Sequence, residues 1–405
     1  MALTLVAGVR ARDSLVTARE DTDYARGIAL LEPWKNPMTL VTQRLGHYSS
    51  DTVDFHHYED VTVPYQDQVN NGGGYSDTDT AIVVDTGGLF KAGDLVRVDE
   101  TGEIMLVTSV STNTLTVIRD YGQAEGWTAS AAALVDNYHL TRLSNAFEQG
   151  HDLPDSVTTQ EVDVKNYTQD IRTSWLLTDI LQNSLLRGEQ DQAFQDRKKG
   201  IEHFMKIEMA NIIGKPYAGD KGAFSGSHGS GDAPTTCGGC NYFIENEGDT
   251  NLMVDQTDLT MWEFVDFLEP LFQYGSATRF CFCPSALRTA LDKWGITKMQ
   301  TFASQDVLGM KIGRWDSSHG TVYFIMHDAL RPAASTLWKN CFFLDMDKLD
   351  WVTLQNIGST SMTTVDYRHS TGATKTGYEY RTIQGIRFRQ PKCHGRLRLK
   401  TVSVA

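Results

Sequence analysis

Two pairs of cysteines are the residues best suited to chemistry: Cys237-Gly238-Gly239-Cys240 and, some forty residues on, Cys281-Phe282-Cys283. Four thiolates can close a tetrahedron around zinc, and the first pair has the spacing of a zinc knuckle. The second pair falls on an expected strand, where alternate side chains share a face, but it lacks the two-residue gap usual in zinc ribbons. A simpler account makes the thiols small buried hydrophobes and Gly238-Gly239 a turn. That account is preferred, and no metal or cofactor is expected.

The other constellations are weaker. His56-His57 stands near Glu59 and Asp60, yet adjacent strand residues point to opposite faces, so these read as surface residues. No Gly-x-Ser-x-Gly elbow is present, and Gly226-Ser227-His228-Gly229 lies in a glycine-rich loop without a placed partner. The glycines at Gly72–Gly74 and Gly238-Gly239 lack the strand-then-helix context of a phosphate-binding loop. Asp345/Asp347 and Asp77/Asp79 fall short of an EF-hand's ligand count. No catalytic residue is expected, and the chain does not read as an enzyme.

Composition narrows the field further. Over 405 residues, 40% hydrophobic and 22% charged side chains are ordinary for folded proteins and too many for one core, so two or three lobes are expected. No run approaches the roughly 18 uncharged apolar residues of a membrane span, and the mean hydropathy is −0.33. The start, Met1 to Arg10, has no basic residue ahead of its apolar run, which argues against a signal peptide. Six cysteines do not suggest a disulfide framework, so a reduced, cytoplasmic setting is expected. A formal charge of −14 opposes a grip on a phosphate backbone. Basic residues do gather near the end, at Arg381, Arg387, Arg389, Lys392, Arg396, Arg398 and Lys400. Nucleic-acid contact and a surface meeting an acidic neighbouring subunit both fit this cluster, and the acidic remainder favours the second.

The elements can be read in order. Glu32-Pro33-Trp34-Lys35-Asn36-Pro37 closes an extended arm whose Leu30, Leu31, Trp34 and Met38 need another surface to cover them. Thr52 to Val63 alternates as a strand, with Phe55, His57 and Glu59 on one face and His56, Tyr58 and Asp60 on the other. After Asn70-Asn71-Gly72-Gly73-Gly74 come four short strands, Ala81–Asp85, Asp94–Asp99, Ile104–Ser111 and Thr114–Arg119, which suggest a small barrel or sandwich. A second extended stretch, Glu161 to Leu177, carries Val162, Val164, Tyr167, Ile171 and Trp175. A long amphipathic helix follows from about Asp179 to Ile213, broken at Gly188, with Ile180, Leu185, Phe194, Ile201, Phe204, Met205, Met209 and Ile212 at helical spacing. Beyond a Gly/Ser-rich loop, Thr260-Met261-Trp262-Glu263 fits a capping box at the start of an α/β lobe, and the chain ends β-rich.

This order of parts resembles the α+β fold of tailed-phage major capsid proteins: N-terminal arm, E-loop, peripheral domain with a long spine helix, and axial domain. Segments resemble a capsid family of podophages and siphophages whose E-loop carries a small inserted β domain. The likeness rests on Asn36-Pro37, Phe55-His56-His57-Tyr58-Glu59-Asp60, Lys91 to Val98, Thr114 to Val117, Asn166-Tyr167-Thr168-Gln169, Gly238 to Ile244, and Glu379-Tyr380-Arg381. It implies an arm over residues 1–45, E-loop segments at 46–74 and 146–178, and an inserted domain at 75–145. The spine helix and glycine-rich loop would take 179–240, the axial domain 241–345, and returning peripheral strands 346–405. It further implies hexamers and pentamers closed into an icosahedral shell around double-stranded DNA that is enclosed without sequence-specific binding. Portal and possible scaffold or decoration proteins would be partners, with assembly in the host cytoplasm and residence in the virion. Contacts between subunits would fall on Leu31, Trp34, Phe55, Tyr58, Tyr167, Ile171, Trp175, Arg387 and Arg389. Two alternatives remain open: an encapsulin-like compartment shell and a zinc-dependent enzyme.

Overall fold

The computed structural model describes residues 36–399 apart from 43–45, 122–130, 151–153, 155, 185–189, 219–233, 247–250, 255–258, 298–303, 308–309, 328–329, 331–338, 355–360 and 367–373. Leu31, Trp34 and nearly all of the expected arm therefore lie outside the described residues. The chain divides into a larger unit, which runs to His57 and resumes at Val164, and a smaller unit, Tyr58–Asp163.

One sheet of the larger unit is organised by the 14-residue strand Lys375–Phe388. Along one side it pairs with Gln169–Thr178, and along the other with Leu349–Leu354 and Ser361–Asp366, while Gly46–Ser50 adds to Leu349–Leu354. Gln169–Thr178 alternates strictly, burying Ile171, Thr173, Trp175 and Leu177. That period is what a strand with one covered face requires.

The cover includes the helix Asp191–Ile213, preceded by a separate short helix, Asp179–Asn183. The long helix buries His203, Ile207, Glu208, Asn211 and Ile212, so its inner face mixes polar with apolar residues. The expected face was rotated from this one: Met205 and Met209 are only half-buried, and Ile180 is 79% exposed. Polar partners explain the difference: Thr173 and Thr382 on the sheet meet His203, Gln384 meets Asn211, and Glu208 is held from outside that sheet by Met38, Thr39 and His327.

A second sheet forms the α/β lobe. Its strand order is Leu252–Val254, Gly395–Arg398, Asn340–Leu344, Thr278–Cys283, Thr321–Met326, Met310–Asp316 and Ser304–Val307. Helices Met261–Leu271 and Ser285–Thr297 accompany it, and the first opens with the expected capping box between Thr260 and Glu263. Cys281, Cys283, Phe324 and Phe343 pack with Phe264, Leu268 and Leu287 in one core, while Phe282, Ile325 and Phe342 join Phe243, Ile386 and Phe388 in another. A sheet buried on both faces accounts for the nearly unbroken apolar run Phe280 to Cys283.

The strands of residues 346–399 divide between the two sheets. The single-turn helix Pro391–Cys393 separates Lys375–Phe388 from Gly395–Arg398, which pairs with Asn340–Leu344 in the α/β sheet. Gln390 takes the left-handed conformation, φ 49°, at this change of sheet.

The smaller unit is a six-stranded barrel. Its strands follow the order Gln66–Gln68, His139–Asn145, Asp94–Val98, Ile104–Ser111, Thr114–Ile118 and Ala81–Val83. The Val69–Val84 bridge, with Asn70 N donating to Val83 O at 2.9 Å and Asp85 N to Gln68 O at 3.1 Å, joins the last strand to the first. Val96, Val98, Met105, Val107, Leu115 and Val117 fill the interior. The domain thus begins before the expected residue 75, because closure needs Gln66–Gln68, a polar strand too short to show a period. Inside, Arg119 donates from Nε and Nη2 to the Glu103 carboxylate at 2.7 Å each, and it also donates to the carbonyls of Ser76, Asp79 and Ala132.

Candidate assembly surfaces

Burial separates the residues expected to meet neighbouring subunits. Tyr58 is 75% exposed on the strand Asp54–Glu59, and this strand pairs with Val162–Tyr167, whose Val162 is also exposed. Phe55, by contrast, is buried within its own chain against Gly385, where a Cβ would come within 2.8 Å of its ring. Ile171 packs with Ile207 and Trp351. Trp175 is buried against Leu177 and Tyr378, stacked on the Tyr378 ring at 5.4 Å. These three side chains need no neighbour to cover them, so the reason for assigning them to an interface falls away. Tyr167 is half-buried beside them.

The C-terminal arginines find their acids within the chain. Arg387 Nη2 lies 2.6 Å from Asp350 Oδ2, and Arg389 Nε lies 3.3 Å from the same oxygen. The Arg387 guanidinium also rests 4.2 Å from the centre of the Tyr48 ring. On the exposed face of the same sheet, Asp170 accepts from Arg172 and Arg381 at 2.8 and 2.9 Å. Burial pushes the Asp170 carboxyl upward, but the hydrogen bonds from these two arginines outweigh it and hold the group below the usual carboxylate range. Arg396 Nη1 donates to Asn241 at 2.7 Å and lies 3.3 Å from Glu245. Much of the apparent basic patch is therefore spent on internal ion pairs, which leaves less charge for either a nucleic acid or an acidic neighbour than the sequence suggests.

The cysteines are divided. Cys240 belongs to the core containing Phe243 and Phe388, whereas Cys281, Cys283 and Cys341 belong to the core under the α/β helices. All six thiols are free and buried. Burial pushes Cys237 up to about 11 and raises Cys240, Cys281 and Cys341 well above the ordinary thiol range. Among the described residues, no group of three His, Cys, Asp or Glu side chains is placed to hold a metal ion. Cys240 and the Cys281-Cys283 pair thus lie in different cores.

Glu208 was not singled out by sequence. Its carboxylate is buried where the helix Pro37–Thr42 meets the long helix, and it accepts from Met38 N at 2.9 Å, Thr39 N at 2.6 Å, the Thr39 hydroxyl, and His327 Nε2 at 2.6 Å. A glutamate at the i+4 position from Phe204 and i+7 from Ile201 was the available signal. It fixes the helix Pro37–Thr42 and the end of the strand Thr321–Met326 to one turn of helix.

The described residues thus offer a pair of strands with Tyr58 exposed, a charged sheet face around Asp170, and the helix Pro37–Thr42 held on Glu208. The fold of the chain is similar to that of a solved shell protein. The SrpI encapsulin of Synechococcus elongatus PCC 7942 matches over 98% of this chain and 99% of its own, with 9% identity and a TM-score of 0.50. The capsid of an empty GTA particle matches over 97% and 98% respectively, with 9% identity and a TM-score of 0.47. Sequence then separates compartment from virus. Residues 9–401 match the model of the SU10 major capsid protein family, and the chain belongs to that family. The major capsid protein of Pseudomonas phage PaMx41 is 26% identical over 264 residues, 63% of this chain; the match spans 60% of that relative.

Proposed function

We propose that the chain is the principal subunit of an icosahedral phage shell, forming hexamers and pentamers that enclose double-stranded DNA without reading its sequence. The observation that carries this is the family match, which leaves out only the first eight and last four residues. In this reading the paired strands Asp54–Glu59 and Val162–Tyr167 are the E-loop, and the barrel is inserted between them in sequence. Tyr58 meets a neighbouring subunit, while Leu31 and Trp34 anchor the arm on another. Asp191–Ile213 is the spine helix and the seven-stranded lobe is the axial domain. Assembly takes place in the host cytoplasm, and the chain performs no catalysis. Portal and scaffold or decoration proteins complete the particle.

Electron microscopy of the concentrated, purified chain tests this: closed shells or hexameric rings are expected, and a persistent monomer would refute it. The encapsulin-like alternative is favoured by one observation, the shared fold. The contents of particles from infected cells separate the two, since cargo enzymes in place of a genome would establish a compartment.

A further inference from the structure

Charge is divided unevenly between the two units. Residues 58–163 hold 18 acidic and four basic side chains, a formal −14 that equals the charge of the whole chain; the remainder holds 33 of each sign and is neutral. Two barrels that meet at random therefore set carboxylates against carboxylates, which disfavours contact. Of the four bases, Arg119 is sealed inside against Glu103 and Arg97 stands exposed on the strand Asp94–Val98. The other two, Lys91 and Arg142, line one groove of about 380 Å³ with Tyr65, Leu143 and Phe147 among its walls.

The groove is firmly built. Arg142 Nη1 donates to Leu89 O at 2.9 Å, and the guanidinium lies 5.8 Å from the centre of the Tyr65 ring. Phe147 packs where a Cβ on Gly93 would come within 2.4 Å, and Gly93 has φ +94°, so glycine there makes the wall possible. Asp94 accepts from Lys91 N at 2.8 Å and lies 4.0 Å from Arg142. Among the described residues the Lys91 ammonium has no ion pair. Tyr65 is 69% exposed and Leu143 48%, so a cation stands beside uncovered apolar surface.

We propose that this groove receives an acidic segment from the smaller unit of a second copy of the chain. The inference rests on the capsid reading, which holds copies side by side. The smaller unit carries a formal −14, so an approach through the groove replaces like-charge repulsion by attraction. Tyr65 and Leu143 supply the apolar area that turns charge matching into a seated contact. Repulsion elsewhere then selects this register over others.

The test uses shells assembled from equal amounts of ¹⁴N- and ¹⁵N-labelled chain, treated with a carbodiimide that joins amines to carboxylates. Mass spectrometry should find Lys91 coupled to an Asp or Glu of residues 58–163 in mixed-isotope pairs, which arise only between copies. Lys91→Arg should keep the shells and remove that product. Lys91→Glu combined with Arg142→Glu should leave the circular dichroism of the free chain unchanged and speed shell dissociation tenfold or more. Coupling of Lys91 only within its own chain, or only to a different protein, would overturn the proposal, as would unchanged dissociation of the double variant. A wild-type chain that forms no shells would remove the capsid reading and this contact together, whereas intact shells without the mixed-isotope product remove the contact alone.

Discussion

Protonating His203 should loosen the long helix from its sheet. The imidazole is buried, with Nδ1 3.1 Å from Thr173 Oγ1 and Nε2 2.8 Å from Thr382 Oγ1. Burial first, and the nearby Lys206 ammonium second, push it from 6.5 down to about 4. Because the folded value lies below the unfolded one, the contribution is complete above pH 6.5 and is lost progressively as pH falls toward 4. Each unit is worth about 1.4 kcal/mol, so the loss is at most about 3 kcal/mol below pH 4 and about 2 kcal/mol at pH 5. Hydrogen exchange of the Asp191–Ile213 amides, corrected for intrinsic rates, measures the opening free energy at pH 7 and pH 5. Carboxylates elsewhere also titrate in this range, so the comparison is with His203→Gln, which should lose about 2 kcal/mol less than wild type between the two pH values. Equal losses in the two proteins would refute the reasoning.

Arg119→Ala should destabilise the barrel by about 3–5 kcal/mol, because it strands Glu103 with its charge buried; thermal unfolding checks this, and Arg119→Met with Glu103→Leu should recover part of the loss. Trp175→Ala should cost about 3–5 kcal/mol of folding stability, whereas Tyr58→Asp should leave the melting temperature unchanged and reduce shell formation; melting curves with electron microscopy separate the two effects. None of the six cysteines should react with a thiol reagent in the native chain at neutral pH, and all six should react in denaturant.

The elements that show a clean period were legible. Ile104–Ser111 forms as read, Asp94–Val98 and Thr114–Ile118 end one residue earlier than expected, and the capping box at Thr260 starts its helix in place. The order of parts, rather than any site, pointed to a shell protein. What failed was the step from exposure expected in an isolated segment to exposure in the fold. Trp175 and Ile171 looked like interface residues because nothing in sequence shows that Lys375–Phe388, about two hundred residues later, pairs beside them. Arg387 and Arg389 looked free because Asp350 is distant in sequence and opposite in register. The −14 charge falls on residues 58–163 as a unit, which only a division of the chain into units reveals.

Closure of the barrel bears on how such a chain can change over generations. A strand ring joined through Val69 and Val84 offers no open edge to other polypeptides, in folding or in a crowded cell. Its points of entry and exit also lie side by side, with Thr159 Oγ1 donating to Asp60 Oδ1 at 2.6 Å. A segment with those two properties can be excised or exchanged by recombination between genomes without leaving a raw edge or a gap that the surrounding chain must span. The unit Tyr58–Asp163 can thereby be replaced as a whole, while the chain on either side of it changes residue by residue.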